Sequence, residues 1–136
     1  MSFRVFMVVA LLTLQPNAPL PTLRVITLED LAAHYQTYES KEIVAAGTVI
    51  VGPEGAFMAV PTSAPRSEEQ LVWVDMPAAL AKRPGPLEAE FLRRTKLQGL
   101  VTAILRGRFH GSDHRSFGHQ NCCRFEIEIT SVLSVG

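Results

Sequence analysis

Leu97-Gln-Gly-Leu-Val-Thr-Ala-Ile-Leu-Arg-Gly-Arg-Phe109 leads through a loop, His110-Gly-Ser-Asp-His-Arg-Ser-Phe-Gly-His119, into Cys123-Arg-Phe-Glu-Ile-Glu-Ile-Thr130. The last segment alternates apolar and polar residues without a fault, the period of a strand buried on one face. The first places Leu105, Gly107 and Phe109 opposite Arg106, Arg108 and His110, so it reads as the partner strand. Three of the four histidines lie in the joining loop. This hairpin decides what the rest of the chain can build.

Working back from it, Pro86 to Lys96 has the marks of a short helix: proline at the first position, Glu88 and Glu90 early, Arg93, Arg94 and Lys96 late. Upstream stand three further strands, Glu42–Val51, Ala56–Val60 and Gln70–Met76, the first two joined by the turn cluster Gly52-Pro-Glu-Gly55. The polar stretch 61–69 suits an exposed connection. Gly47, inside the first strand, predicts a bulge or the curvature of a small barrel. Thr27 with Asp30 three residues on forms a capping-box pattern, and Leu28, Leu31, Ala32 and Tyr35 recur at helical spacing, predicting an amphipathic helix from Leu28 to about Tyr38 with His34 off its stripe.

Three strands, a helix and two strands is the order of the OB-fold, a five-stranded partly open barrel. The expected fold is therefore mainly β, an OB-like barrel with an added N-terminal helix and a short helix between strands three and four. Another small barrel or sandwich with a different strand path is the competing arrangement. At 136 residues the chain holds one domain, assigned here to 19–136.

Residues 1–18 carry the layout of a secretory signal: Arg4, an apolar run from Val5 to Leu14, then a polar, proline-rich segment with a cut predicted after Ala18. The run is too short for a stable membrane span, and the predicted compartment is periplasmic or extracellular. Lysine plus arginine equals aspartate plus glutamate, 13 each, which argues against a nucleic-acid partner recruited by overall charge. Cys122 and Cys123 are the only cysteines. In a strand they would point to opposite faces, predicting one buried and one more exposed thiol rather than a bridge.

Tyr38-x-x-Lys41-x-Ile43, Gly52-x-Glu54-Gly55, Val72-Trp73-Val74-Asp75, Gly107-Arg-Phe109 and Phe117-Gly-His119 before an alternating final strand together resemble small exported bacterial proteins of unknown function. Those proteins are similar to OB-type barrels and carry an aromatic-Gly-His step between their last two strands. The resemblance spans roughly 38–135 and implies a fold and a compartment, with no reaction attached. The chain departs from it at Cys122 and Cys123.

Several residue groups are candidate sites. His110, His114 and His119, with Asp113 and Cys122, are ligand types that zinc or copper accepts. Their spacing matches no closed structural-zinc signature, which favours a solvated hairpin tip with His119 holding the turn by a ring hydrogen bond. Arg106, Arg108 and His110, joined by Arg115 and Arg124, could clamp an anion, against which stands plain cross-strand pairing of charges. Phe57, Trp73 and Phe117 fall near the surface that OB barrels use for binding, where an exposed aromatic could stack on a base or sugar ring. Core packing competes for all three, most strongly for Trp73 in its apolar strand, and Phe117 is the one expected to be exposed. A nucleophile could be drawn from Cys122 or Cys123 with His119 and Asp113, but no catalytic signature emerges. The expected activity is therefore binding of an unidentified protein or small ligand without catalysis, with Trp73, Arg106, Arg108, Arg115, Phe117 and His119 as contacts. Metal binding by the loop histidines and oligonucleotide or oligosaccharide binding are the alternatives.

Overall fold

The computed structural model describes residues 24–60 and 70–136. The signal-like segment and the 61–69 connection lie outside the described residues. The elements in order are β1 (Val25–Ile26), α1 (Leu28–Ala33), α2 (Tyr35–Tyr38), β2 (Glu42–Gly52), β3 (Gly55–Ala59), β4 (Leu71–Asp75), α3 (Ala78–Lys82), α4 (Pro86–Gln98), β5 (Leu100–Gly111) and β6 (Phe125–Val135).

β2, β3 and β4 form an antiparallel meander; β4 then pairs in parallel with β6, β6 antiparallel with β5, and β5 antiparallel with β2. That last pairing, from Glu42↔Arg108 to Ile50↔Leu100, closes the ring. The result is the closed five-stranded mixed barrel of an OB-like fold. β1 adds two residues in parallel to β2, a pairing too short to leave a periodic signal.

Alternation sets the inside and the outside. Leu105, Phe109, Phe125, Ile127 and Ile129 are buried in one core with Val49, Met58, Val72 and Val101. Phe109 and Phe125 stack with ring centroids 5.9 Å apart. Two bulges in β6, opposite the Ile104–Leu105 and Arg106–Gly107 steps of β5, bend the two strands against each other. A Cβ at Gly107 would collide with the Glu128 carbonyl oxygen, so close backbone approach requires glycine there. Gly47 answers to packing rather than to a bulge, since a Cβ there would stand 2.9 Å from both Leu28 Cδ1 and Met58 Sδ.

The helices cover the two barrel ends. α4 begins with Pro86 at its first turn, stops at Gly99 (φ 68°, left-handed), and buries Phe91 and Thr95 against the barrel. Leu97 and Gln98 therefore end a helix rather than begin a strand. At the other end the N-terminal helix is interrupted at His34 (φ −127°, ψ 35°), giving α1 and α2 in place of one run. Thr27 Oγ1 accepts the Asp30 amide at 3.2 Å, as the capping pattern predicts.

Asp30 ties the two short helices together. Its carboxylate accepts the Tyr38 hydroxyl at 2.9 Å, the His34 ring lies 2.9 Å away, and Arg24 approaches to 3.8 Å. The Tyr38 hydrogen bond above all, helped by the His34 ring and by Arg24, holds the Asp30 carboxyl below its ordinary range against the opposing effect of burial. A depressed carboxyl stabilises the fold above its unfolded pKa and ceases to do so as pH falls through the folded one. Asp30→Asn is thus expected to lower the melting temperature by a few degrees at pH 7 and by less at pH 3. An equal loss at both pH values would show that the carboxylate charge plays no part.

Candidate functional site

The sequence motifs at 52–55, 72–75 and 117–119 meet around one side chain, Trp73. Val72 and Val74 point into the core, so Trp73 between them stands on the outer face of β4. Core packing, the reading that competed with a contact role for Trp73, is therefore not the arrangement found. Leu71-Val-Trp-Val is apolar at every position, so period-two alternation could not say which face is buried.

Two glycines lie close against the indole. A Cβ at Gly55 (φ 142°) would collide with Trp73 Cη2. One at Gly118 (φ 80°) would lie 2.5 Å from Trp73 Cε3 and 2.8 Å from Cys122 Sγ. The Gly-His step and the Gly52–Gly55 turn are therefore two walls of one slot. Its cleft encloses about 220 Å³, lined by Gly52, Pro53, Phe57, Leu71, Trp73 and Cys122, with Glu54 and His119 at the rim. His119 Nε2 stands 3.8 Å from Glu54 Oε1 across the opening.

The loop wall is built by a tight reversal. The amides of Ser116 and Phe117 both donate to the Cys123 carbonyl at 2.9 Å, and the Cys123 amide donates back to Phe117 at 3.1 Å. Between them, His119–Asn121 makes one 3-10 turn with Gln120 and Asn121 at positive φ. Cys122 and Cys123 are bonded to each other, contrary to the expectation of two separate thiols. That expectation assumed an extended strand, whereas Cys122 is helical (φ −64°, ψ −28°) and β6 begins only at Phe125. Cys123 is fully buried while Cys122 faces the cleft.

The same outer face continues across the sheet as a row in register, Phe57↔Trp73↔Glu126↔His110. Beyond the tryptophan the row turns from apolar to charged. His110 Nε2 lies 3.1 Å from Glu128 Oε1, and its Nδ1 lies 3.1 Å from Glu39 Oε1. Burial works to raise the Glu39 carboxyl, but the Gly111 amide, donating at 2.6 Å, and the His110 ring hold it below its ordinary range. Glu126 is pushed up by burial and then by Glu128 and Asp75; Asp75 is pushed up by burial and by Glu128.

Phe117 is half-buried and stacks on His110 with centroids 6.3 Å apart, so it lies over the charged half of the row rather than in the cleft. Among the described residues, the only group of three ligand-type side chains within 4.8 Å of one another is His110, Glu126 and Glu128. His114, Asp113 and Arg115 are exposed on the loop, and His119 faces Glu54, so the structure does not bring the three loop histidines together.

The arginines also disperse. Arg106 Nε donates to Glu42 at 2.6 Å and Arg108 to the Ser40 carbonyl at 3.1 Å, both at the β2–β5 seam. Arg124 lies over Phe125 and Tyr35 and donates to the Ser112 carbonyl. What pairs across strands is Arg106 with Glu42, a half-exposed contact of small energetic weight. Gly55, Gly118 and Asp75 enter the sequence reading only as parts of short motifs and Cys122 only as a ligand or nucleophile type, and Glu39 does not enter it at all. Comparison of the chain with protein-family models and with curated proteins finds no match.

Proposed function

We propose that this protein is an exported, non-enzymatic binding module, of the kind the small exported bacterial barrels represent, and that its ligand seats a neutral ring in the Trp73 cleft. The observation that carries the reading is the slot itself: an outward-facing indole held by Gly55 and Gly118 in an opening of about 220 Å³. That volume is below the range of whole drug-sized pockets and suits one ring of a larger ligand. An indole face with apolar neighbours gives stacking at low entropic cost. The rim supports a neutral ring over a phosphate, because Glu54 stands at the mouth and the chain has no net positive charge. A cystine at 122–123 is consistent with an oxidising compartment.

Trp73 is the only tryptophan, so its emission reports the site directly. Titration with an N-acetylglucosamine oligomer is expected to shift or quench that emission equally in 50 mM and 500 mM salt. Trp73→Ala, followed by calorimetry, is expected to weaken binding at least tenfold, in line with about 1–3 kcal/mol per stacked ring. A response to a dT10 oligonucleotide that collapses with salt would replace the neutral-ring reading by phosphate recognition.

A further inference from the structure

We propose that His110, Glu126 and Glu128 form a binding site for a divalent transition-metal ion, separate from the Trp73 cleft and without His114 or His119. The three side chains come from the adjacent strands β5 and β6, with His110 and Glu126 as register partners. Each offers one ligand atom, and the three atoms lie within 4.8 Å of one another. Ligands about 2.0–2.2 Å from a common ion stand within that separation of each other. One imidazole and two carboxylates make a borderline donor set that suits Zn²⁺ or Mn²⁺ over soft ions.

Two arrangements outside the three ligands support a cation there. Glu39, from the turn before β2, lies 3.1 Å from His110 Nδ1 and is itself held by the Gly111 amide. A carboxylate on the far ring nitrogen fixes a histidine so that the proton-free nitrogen faces the metal, and Nε2 is the nitrogen turned toward Glu128. The charge balance points the same way. Asp75 is the register partner of Glu128, which brings a third carboxylate to the patch. Among the described residues no lysine or arginine forms an ion pair with Asp75, Glu126 or Glu128. His110 is the one partner that reaches these acids, and Glu39 shares it, so a dication would offset what one imidazole ring cannot.

Calorimetric titration of the chelator-treated protein with ZnCl₂ and, separately, MnCl₂ at pH 7 tests this. One equivalent of at least one ion is expected to bind with a dissociation constant in the micromolar range or tighter. Glu126→Gln, which keeps the side chain's shape and so the fold, is expected to weaken that binding at least tenfold, and His110→Ala to abolish it. Glu39→Gln is expected to weaken it about 10-fold to 100-fold through the ring orientation alone. His114→Ala and His119→Ala are expected to leave it unchanged. Absence of binding by both ions overturns the assignment, as does binding that survives Glu126→Gln but is lost in His114→Ala or His119→Ala. Because Trp73 is untouched in all these variants, failure here leaves the result of the ring titration standing.

Discussion

Gly118→Ala is expected to destabilise the protein by about 2–4 kcal/mol and to disable the Trp73 cleft together with it. Its backbone sits at φ 80°, ψ −174°, a region where essentially only glycine rests, and a side chain there costs about 1–3 kcal/mol in strain alone. The added methyl would also press on the indole at 2.5 Å and on Cys122 Sγ at 2.8 Å. Neither neighbour can retreat freely, since Gly55 also lies close against the ring and Cys122 is bonded to buried Cys123. Denaturant unfolding gives the stability change, and tryptophan emission gives the displacement of the ring. If Gly118→Ala melts like the parent protein with unaltered emission, the two walls do not hold Trp73 as described.

The second large effect separates the inside of the barrel from its outside. Phe109 is fully buried and stacked on Phe125, whereas Phe57, of identical composition, lies on the outer face beside Trp73. Phe109→Ala removes a ring from a close-packed core and is expected to cost about 3–5 kcal/mol. Phe57→Ala removes one from the half-buried cleft wall and is expected to cost about 1 kcal/mol or less, because water can enter. Equilibrium unfolding of the two variants under one set of conditions makes the comparison. Equal losses would contradict the assignment of faces on β3 and β5, and with it the position of the cleft.

These two residues also mark how much the sequence could say. Phe109 was legible as a core residue because Leu105, Gly107 and Phe109 alternate with charged neighbours, and alternation is a local signal. The same holds for Phe125, Ile127 and Ile129, so the terminal hairpin, the strand order and the barrel followed from the chain alone. Trp73 admits both a contact and a core reading in the sequence, because an unbroken apolar strand is silent about its outer face. What makes a cleft of that outer face is the Phe117–Cys123 reversal, which brings Gly118 against the indole from far along the chain. The bond between the cysteines escapes the sequence for a related reason: alternation points to a strand from Cys123 onward, while the left-handed residues Gln120 and Asn121 keep the chain in a turn there.

The acidic site shows the same limit in another form. Arg106, Arg108 and His110 were placed on one face, and Arg124, Glu126 and Glu128 on another, correctly in each strand taken singly. Which charges meet depends on cross-strand register, and the bulges in β6, opposite β5, shift it. Arg106 therefore turns to Glu42 and Arg108 to the Ser40 carbonyl, leaving His110 with the glutamates. A spacing rule applied along one strand cannot recover a register set by two.

Closure of the ring through β2 and β5 carries a consequence for how the chain reaches this state. β2, β3 and β4 can pair as soon as they exist, but β2 finds its second partner only when Leu100 to Arg108 arrives, and β4 only when Phe125 to Glu128 does. Until then the meander presents two open sheet edges, each able to recruit a strand from another molecule. Contacts this distant along the chain also slow the search for the native ring. A chain cut short before β6 should therefore aggregate rather than fold in part, and the intact chain should acquire its structure in a single late step.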